Sequence, residues 1–320
     1  MAKPHLIIIS PYLAKANNGN WQTAWRWSRF LSKDYKVTLA VEWDGTAFDA
    51  MIALHARRSA VSVAAFAASH PTRPLLVVLT GTDLYRDIAS DEAAKCSLQV
   101  ATQLMILQPA GFQALDKNLH HKIQVIYQSA PALKPYQKSA GKYFDVTMIG
   151  HLRDEKDPAT FMRAVELVQS DSIRMIHIGG ALDPALGALA EKTQQCDPRY
   201  RWLGNVAHAA TRQRLKRSQL MVITSKIEGG ANVIIEAVTS GVPVLASDIS
   251  GNRGMLGEDY EGYFPLGDSI KLAFLIDRAV SDAKFYRRLQ TQCADRAPLF
   301  SPERERAVLL KIVNHCITQQ

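Results

Sequence analysis

Short apolar runs alternate along the chain with longer stretches whose apolar positions recur every three to four residues, a pattern that predicts parallel strands joined by crossover helices. HLIII at 5–9, VTLAV at 37–41, AMIAL at 50–54, LLVVL at 75–79, QLMIL at 103–107 and IQVI at 123–126 read as strands of a first half. FDVTMIG at 144–150, IRMIHI at 173–178, LMVI at 220–223 and PVLA at 243–246 do the same for a second. Helices are expected over 21–32, 59–69, 91–101, from Pro158 onward, up to about 194, then over 209–218, 231–240, 270–280 and 304–316. In the first of these, Trp21, Ala24, Trp25, Ser28 and Leu31 share a face. Between the halves the pattern dissolves into QSAPALKPYQKSAGK, residues 128–142, with two prolines and no apolar period, which reads as a linker. The expected domains are therefore 1–140 and 143–300, with 301–320 as a closing helix.

In such folds ligands sit at the carboxyl ends of strands, against helix N-termini. The most informative end follows 220–223, where Glu228, Gly229, Gly230, Ala231 and Asn232 lead into a helix closed by Gly241 and Pro243. Glu236 lies seven intervening residues beyond Glu228, one carboxylate in the turn and one on the helix, with Asn232 one turn before it on the same face. Carboxylates repel phosphate and suit sugar hydroxyls as hydrogen-bond acceptors. A solvated helix glutamate and a plain glycine turn fit this spacing equally well.

Other strand ends add charge. The polar loop Lys15–Asn20 closes on Gly19 and Asn20, either a plain turn or a phosphate or sugar contact. His55, Arg57 and Arg58 stand where a strand passes into a helix; cations there oppose the helix dipole unless an anion or carboxylate compensates. Thr82 and Asp83 follow Gly81, with Asp83 a helix cap or a base. Arg153 and Lys156 lie in GHLRDEKDP and suit a diphosphate. Asn205 sits in an extended WLGNV segment able to read a base edge, and Asn252 and Arg253 in the glycine loop SGNRG. Arg212, Arg214, Lys216 and Arg217 read as one solvated helix face.

Composition narrows the partners. The 320 residues suit two domains, and 47% hydrophobic residues with 14 prolines is a globular balance. No apolar run reaches membrane-spanning length, and the N-terminal run stops at Ser10 and Pro11, too short for a signal peptide. Four scattered cysteines without metal spacing suit a reducing cytoplasm. A charge of +8 without basic–aromatic interleaving points to anionic small substrates, with no nucleic acid and no stable membrane association.

The run E-x7-E with E-A-x-x-S-G-x-P-V behind it resembles the donor-site signature of retaining-type, nucleotide-sugar-dependent glycosyltransferases of the GT-B architecture. That resemblance covers nearly the whole chain. It implies two facing doubly wound Rossmann-like domains with a cleft between, and a last helix crossing back to the first domain. It also implies that Glu228 touches the donor sugar and Glu236 the nucleotide ribose. Within that family, LHARRSA (54–60), LTGTDLY (79–85), GHLRDEKDP (150–158), EGGANV (228–233) and GNRGMLGEDYEGYFP (251–265) are similar to the selenosugar synthases of selenoneine biosynthesis. Those enzymes join selenophosphate to the sugar of a UDP-sugar through a carbon–selenium bond.

The resemblance implies a donor site of Glu228, Gly229, Gly230, Ala231, Asn232, Glu236, Asn205, Arg153 and Lys156. It implies an acceptor site of Gly19, Asn20, His55, Arg57, Arg58, Thr82, Asp83, Asn252 and Arg253. His55, Arg153 and Lys156 are the expected catalytic groups, UDP-sugar (UDP-N-acetylglucosamine or UDP-glucose) and selenophosphate the substrates, with no metal or other cofactor required. The sequence departs from the family where His151 follows the glycine in place of arginine, and where Gly251-Asn252-Arg253 lacks the usual glutamate. A glycosyltransferase with a saccharide or lipid hydroxyl acceptor is the first alternative. A UDP-sugar epimerase and a non-catalytic binding protein follow.

Overall fold

The computed structural model describes residues 3–12, 19–134, 136 and 143–318. Most of the loop expected before Gly19, and Pro135 and 137–142 of the expected linker, lie outside the described residues. Packing divides the chain into two units, one comprising residues up to Ser129 together with those from Ser301, the other Ala130–Phe300. The second unit thus starts inside the stretch read as a linker. The reason is local: Ala130 N–H donates to Phe300 O (3.3 Å) and Arg212 Nη2 to Pro131 O (2.7 Å).

The first unit holds one parallel sheet of β1 (His5–Ile9), β2 (Lys36–Ala40), β3 (Ala50–Leu54), β4 (Leu75–Leu79), β5 (Gln103–Ile106) and β6 (Ile123–Val125). The strands lie in the order β2-β1-β3-β4-β5-β6, with Ile7 opposite both Thr38 and Met51. Its helices are α1 (Gly19–Leu31), α2 (Ala60–Ser69), α3 (Ile88–Ser90), α4 (Glu92–Val100) and, from the far end of the chain, α12 (Pro302–Thr318), where α5–α11 belong to the second unit. Fully apolar strands form here because both faces are covered. Ile7, Met51, Val77 and Leu104 point to α2 and α4 through Phe66 and Leu98, while Leu6, Ile52, Val78 and Met105 point to α1 and α12 through Trp27 and Leu309.

In α1 the buried stripe is Ala24, Trp27 and Leu31, not the expected face through Trp25. Trp25 is exposed, under the Arg29 guanidinium. What draws Trp27 inward is Glu305 of α12, buried to 1% exposure: its carboxylate accepts from Trp27 Nε1 at 2.6 Å, from Arg26 at 2.7 and 3.0 Å, and from Ser129 Oγ. Every lone pair direction of that buried charge is engaged, which is the condition for burying it.

The second unit repeats the plan with β7 (Phe144–Ile149), β8 (Ile173–Ile178), β9 (Tyr200–Trp202), β10 (Leu220–Ile223), β11 (Val244–Ser247) and β12 (Tyr263–Phe264), in the order β12-β11-β10-β7-β8-β9, all parallel. Its helices are α5 (Pro158–Leu167), α6 (Pro184–Cys196), α7 (His208–Arg217), α8 (Asn232–Val238), α9 (Ser250–Leu256), α10 (Ser269–Ser281) and α11 (Ala283–Arg296). Three elements differ from expectation: SGNRG is the start of helix α9 rather than a loop, and α11 and β12 have no counterpart in the sequence reading. In each unit the strand order turns back at its first strand, opening the carboxyl ends of β1/β3 and β7/β10 to a ligand.

His177 of β8 is fully buried. Its Nδ1 lies 2.9 Å from the Tyr200 hydroxyl and its Nε2 3.2 Å from Gly150 O, so the neutral ring donates from Nε2 and accepts at Nδ1. Burial lowers its pKa to about 4 against an ordinary 6.5, with the Gly150 bond opposing. A depressed histidine costs nothing above the unfolded value of 6.5; below it the unfolded chain binds the proton first. Stability should therefore fall from pH 6.5 down to about 4 and then level, by about 3 kcal/mol in all. Urea unfolding across that range should show His177→Gln losing this slope; an unchanged slope would refute the assignment.

Candidate functional site

At the open end of the second unit two loops are fastened together. Thr224 Oγ1, just after β10, donates to Lys156 O (2.8 Å), and Lys226 N–H to Glu155 O (2.9 Å). That fastening brings Lys156 Nζ to 2.5 Å from Glu228 Oε1, with side chains 19% and 10% exposed. The Glu228 main chain is itself pressed by α9: a Cβ at Gly251 would lie 2.9 Å from the Glu228 carbonyl carbon and closer still to its oxygen. Only glycine lets α9 come this near.

Gly229 and Ala231 are buried and Gly230 half-buried; Ala231 is the N-cap and Asn232 the first residue of α8. Glu236, one turn on, is largely buried, with His208 Nε2 at 2.6 Å from its Oε1. Glu228 and Glu236 are thus both ordered acceptors, one paired with lysine and one with histidine.

The loop after β7 adds His151 and Arg153. His151 Nδ1 accepts from Gly180 N–H (3.1 Å), and burial, then Arg153 and Lys156, lower its pKa. It is a neutral imidazole with its proton on Nε2. Arg153 is 42% exposed, its Nε 3.9 Å from the Glu155 carboxylate. Exposed Asn205 follows Gly204 (φ +64°), and its Cβ lies 3.5 Å from where a Gly180 Cβ would stand, which places it next to His151.

Asn252 and Arg253 both have partners within the protein. Asn252 is fully buried, its Nδ2 donating to Ser247 O and Oγ at 2.9 and 3.1 Å. Arg253 is spent on Asp248 (2.5 and 2.8 Å) and Glu258 (2.9 Å), which hold its pKa above the ordinary arginine value. Both lie in α9, into which the glycine run winds.

In the first unit the ends of β3 and β4 meet. His55 has a left-handed backbone (φ +75°), a strained conformation for a residue with a Cβ, and is 2% exposed. Arg58 N–H donates to its Nδ1 (3.3 Å), so Nε2–H faces Thr82 Oγ1 at 3.0 Å. Burial lowers the His55 pKa; Asp83 and Asp87 oppose and Arg58 reinforces the shift. A neutral His55 that donates to Thr82 leaves the Thr82 hydroxyl proton for a further acceptor.

Asp83 is neither base nor ligand contact. It is wholly buried, and its oxygens accept from the amides of Ala56 (2.9 Å), Thr80 (2.9 Å) and Gly81 (2.8 Å), joining the two loops. Arg57 is compensated by Asp91 at 2.8 Å, so the unfavourable dipole argument is met by a carboxylate. Arg58 instead lies over the Tyr12 ring, 5.1 Å from its centroid, and donates to the Tyr12 hydroxyl. Gly19 and Asn20 are the first residues of α1, where Gly19 O accepts from Thr23 Oγ1 (2.8 Å).

Sequence reasoning assigned no site role to His151, Asp87, Tyr12, His208 or Arg212. His151 alone carried a visible signal, as the polar residue directly after a strand-ending glycine. Arg212 is buried rather than solvated. Among the described residues no group of His, Cys, Asp and Glu is placed to hold a metal ion, and no helix is long and apolar enough to cross a membrane.

Residues 130–296 match the profile of the family described as "Glycosyl transferases group 1". No curated protein matches the chain. Among solved structures, a sucrose-phosphate synthase from Thermosynechococcus elongatus superposes with a TM-score of 0.80 at 14% identity, over 100% of both chains. HepE from Anabaena, in complex with UDP-glucose, gives 0.79 at 15% identity, over 98% of this chain and 100% of that one. TarM from S. aureus, in a complex that includes UDP, gives 0.68 at 18% identity over 83% of this chain, which spans 55% of TarM's length. At these identities the likeness is one of fold, and the fold is GT-B: two Rossmann-like units, each with a parallel sheet.

Proposed function

The chain belongs to the group 1 glycosyl transferases, and we propose that it transfers the sugar of a UDP-sugar, with selenophosphate as the acceptor because of the resemblance of the runs at 54–60, 79–85, 150–158, 228–233 and 251–265 to selenosugar synthases. The observation that carries the donor half is the Lys156–Glu228 pair at the carboxyl ends of β7 and β10. A UDP-sugar would divide that pair. Sugar hydroxyls donate to Glu228, the ribose to Glu236, and the diphosphate takes Lys156 and Arg153, as the unlike charges require. UDP as the nucleotide is supported by the UDP and UDP-glucose complexes of neighbours of this fold.

UDP leaves with the electron pair of the anomeric C–O bond, and selenium of selenophosphate supplies the pair for the new C–Se bond. Water then cleaves Se–P, releasing phosphate. Charge developing on the leaving diphosphate is stabilised by Lys156 and Arg153, already ordered before reaction. Selenium is a nucleophile without deprotonation at neutral pH, so the acceptor needs positioning more than a base. Among the described residues at the β3–β4 ends, the oxygens of Asp83 accept from backbone amides and His55 Nε2 faces Thr82, which suits an acceptor that needs no base. Arg58 and the Thr82 hydroxyl are the groups left to hold the acceptor anion.

Purified protein given UDP-glucose or UDP-N-acetylglucosamine, with and without selenophosphate, tests the reading by mass spectrometry. Selenophosphate-dependent UDP release and a selenium-bearing sugar support it. Glycoside formation only with a hydroxyl acceptor would replace selenophosphate by that acceptor, and interconversion of UDP-sugars alone would make the protein an epimerase. Arg58→Ala should raise the KM for selenophosphate about tenfold, the scale of one charge-assisted contact. Arg57→Ala, whose partner is Asp91, should stay within about twofold. The reverse ranking would move the acceptor site.

A further inference from the structure

The two carboxylate oxygens of Glu236 have different surroundings. Helix α8 is buried along Ile234, Ile235, Ala237 and Val238, so its backbone is fixed and only the Glu236 side chain is left to turn. That side chain is 10% exposed; Oε1 receives His208 Nε2 at 2.6 Å, and Oε2 has no hydrogen-bond partner among the described residues. A carboxylate only accepts, so the imidazole is the donor and its Nε2 carries the proton. His208 is itself held in place. It opens α7, whose first turn is closed by Thr211 N–H on Ala207 O (2.9 Å) and Thr211 Oγ1 on Val206 O (3.2 Å). One turn on, Arg212 Nη2 ties the same helix to Pro131 O at 2.7 Å. A rigid helix start thus delivers one N–H donor to a carboxylate whose other oxygen is unspent.

We infer that His208 is a positioning residue for the nucleotide: its Nε2–H fixes the Glu236 carboxylate with Oε2 and the second lone pair of Oε1 turned to the ribose diol, and the pair selects ribonucleotide over deoxyribonucleotide donors. This rests on the reading of Glu236 as the ribose-binding group. A cis-diol presents two hydroxyl donors, and a carboxylate with one protein donor still has acceptor capacity on both oxygens. Without His208 that carboxylate would be free to rotate about its last bond, and ordering it when the nucleotide arrives would be charged against affinity. His208 makes the choice beforehand. A nucleotide lacking both hydroxyls gains nothing from the restraint. His208 therefore reaches the ligand through Glu236 and not by contact.

Calorimetry on the full chain with UDP and with 2′,3′-dideoxy-UDP separates positioning from packing. His208→Ala should weaken UDP roughly tenfold, the scale of one charge-assisted hydrogen bond, and leave dideoxy-UDP within about twofold. His208→Gln keeps an N–H donor near the same point and should recover most of the loss; a glutamine as poor as alanine would count against the proposal. Equal weakening of both nucleotides by His208→Ala marks a general disturbance of α7 and overturns it. So does unchanged UDP affinity, and so does tighter UDP, which would mean that the ribose has to displace His208. Glu236→Gln is the reference. If it leaves the preference for UDP over dideoxy-UDP intact, the ribose assignment falls and His208's role with it. If it removes that preference and His208→Ala does not reduce it, His208 alone is refuted.

Discussion

Lys156→Ala should lower kcat/KM for UDP release by roughly 10²–10³-fold while the protein stays folded, the range found when a preorganised charge on the developing anion is removed. The size follows from what the lysine leaves behind as much as from what it gives. Lys156 is the partner of Glu228 at 2.5 Å, and both side chains are mostly covered. Without it the diphosphate loses a cation, and Glu228 stands uncompensated beside an incoming anion. Glu228→Gln should cost less than Lys156→Ala, and the double variant less than the product of the two, since paired residues are not additive. Steady-state UDP release measured for the four proteins decides it. A Lys156→Ala enzyme within threefold of the parent would mean that the leaving group is stabilised elsewhere.

The second large effect is expected from a single methyl group. Gly251→Ala places a Cβ 3.1 Å from Glu228 Cβ and 2.9 Å from its carbonyl carbon, against backbone that cannot rotate away. Either α9 or the Glu228 turn must move, and overpacking of this kind costs about 1–3 kcal/mol. Asn252 binds α9 to Ser247 beside the change, whereas Glu228 lies beyond Lys226, the last residue at which the turn is fastened to the Glu155 loop. Glu228 should therefore be displaced from Lys156, and misplacement on the ångström scale costs about a hundredfold in rate. A variant with parental activity and a parental unfolding midpoint would show that α9 yields without consequence, and the proposed role of its close approach would be lost.

The parts of this fold that could be read from sequence are those set by local pattern. Strands buried on both faces announce themselves, as AMIAL and LLVVL do. Helix α11 did not, because its buried stripe is only Phe285, Leu289 and Cys293 in a run rich in arginine and lysine. SGNRG looked like a loop because two glycines disfavour a helix; the close contact with Glu228 is a tertiary reason that no local rule contains. The strand, glycine turn and helix that carry Glu228 and Glu236 were legible in the same way. The partners of charged helix and loop residues were not: Arg212 donates to Pro131 O, 81 positions away, and in the first unit the Arg57 charge is answered by Asp91 on another element. Charge on a helix reads as solvated until the partner is known. Asp83 shows the other direction, a carboxylate at a strand end whose oxygens are taken up mainly by the amides of Ala56, Thr80 and Gly81.

Glu305 has a consequence for biosynthesis. The carboxylate that satisfies Arg26, Trp27 and Ser129 is translated after every residue of Ala130–Phe300. While the ribosome is still reading that middle segment, one flank of the nascent first sheet is covered by α1 without α12, with Leu309 and Val313 yet to arrive. The later-made Rossmann unit can finish before the earlier-made one, inverting the usual vectorial order, and chaperone demand should fall on the opening third of the polypeptide.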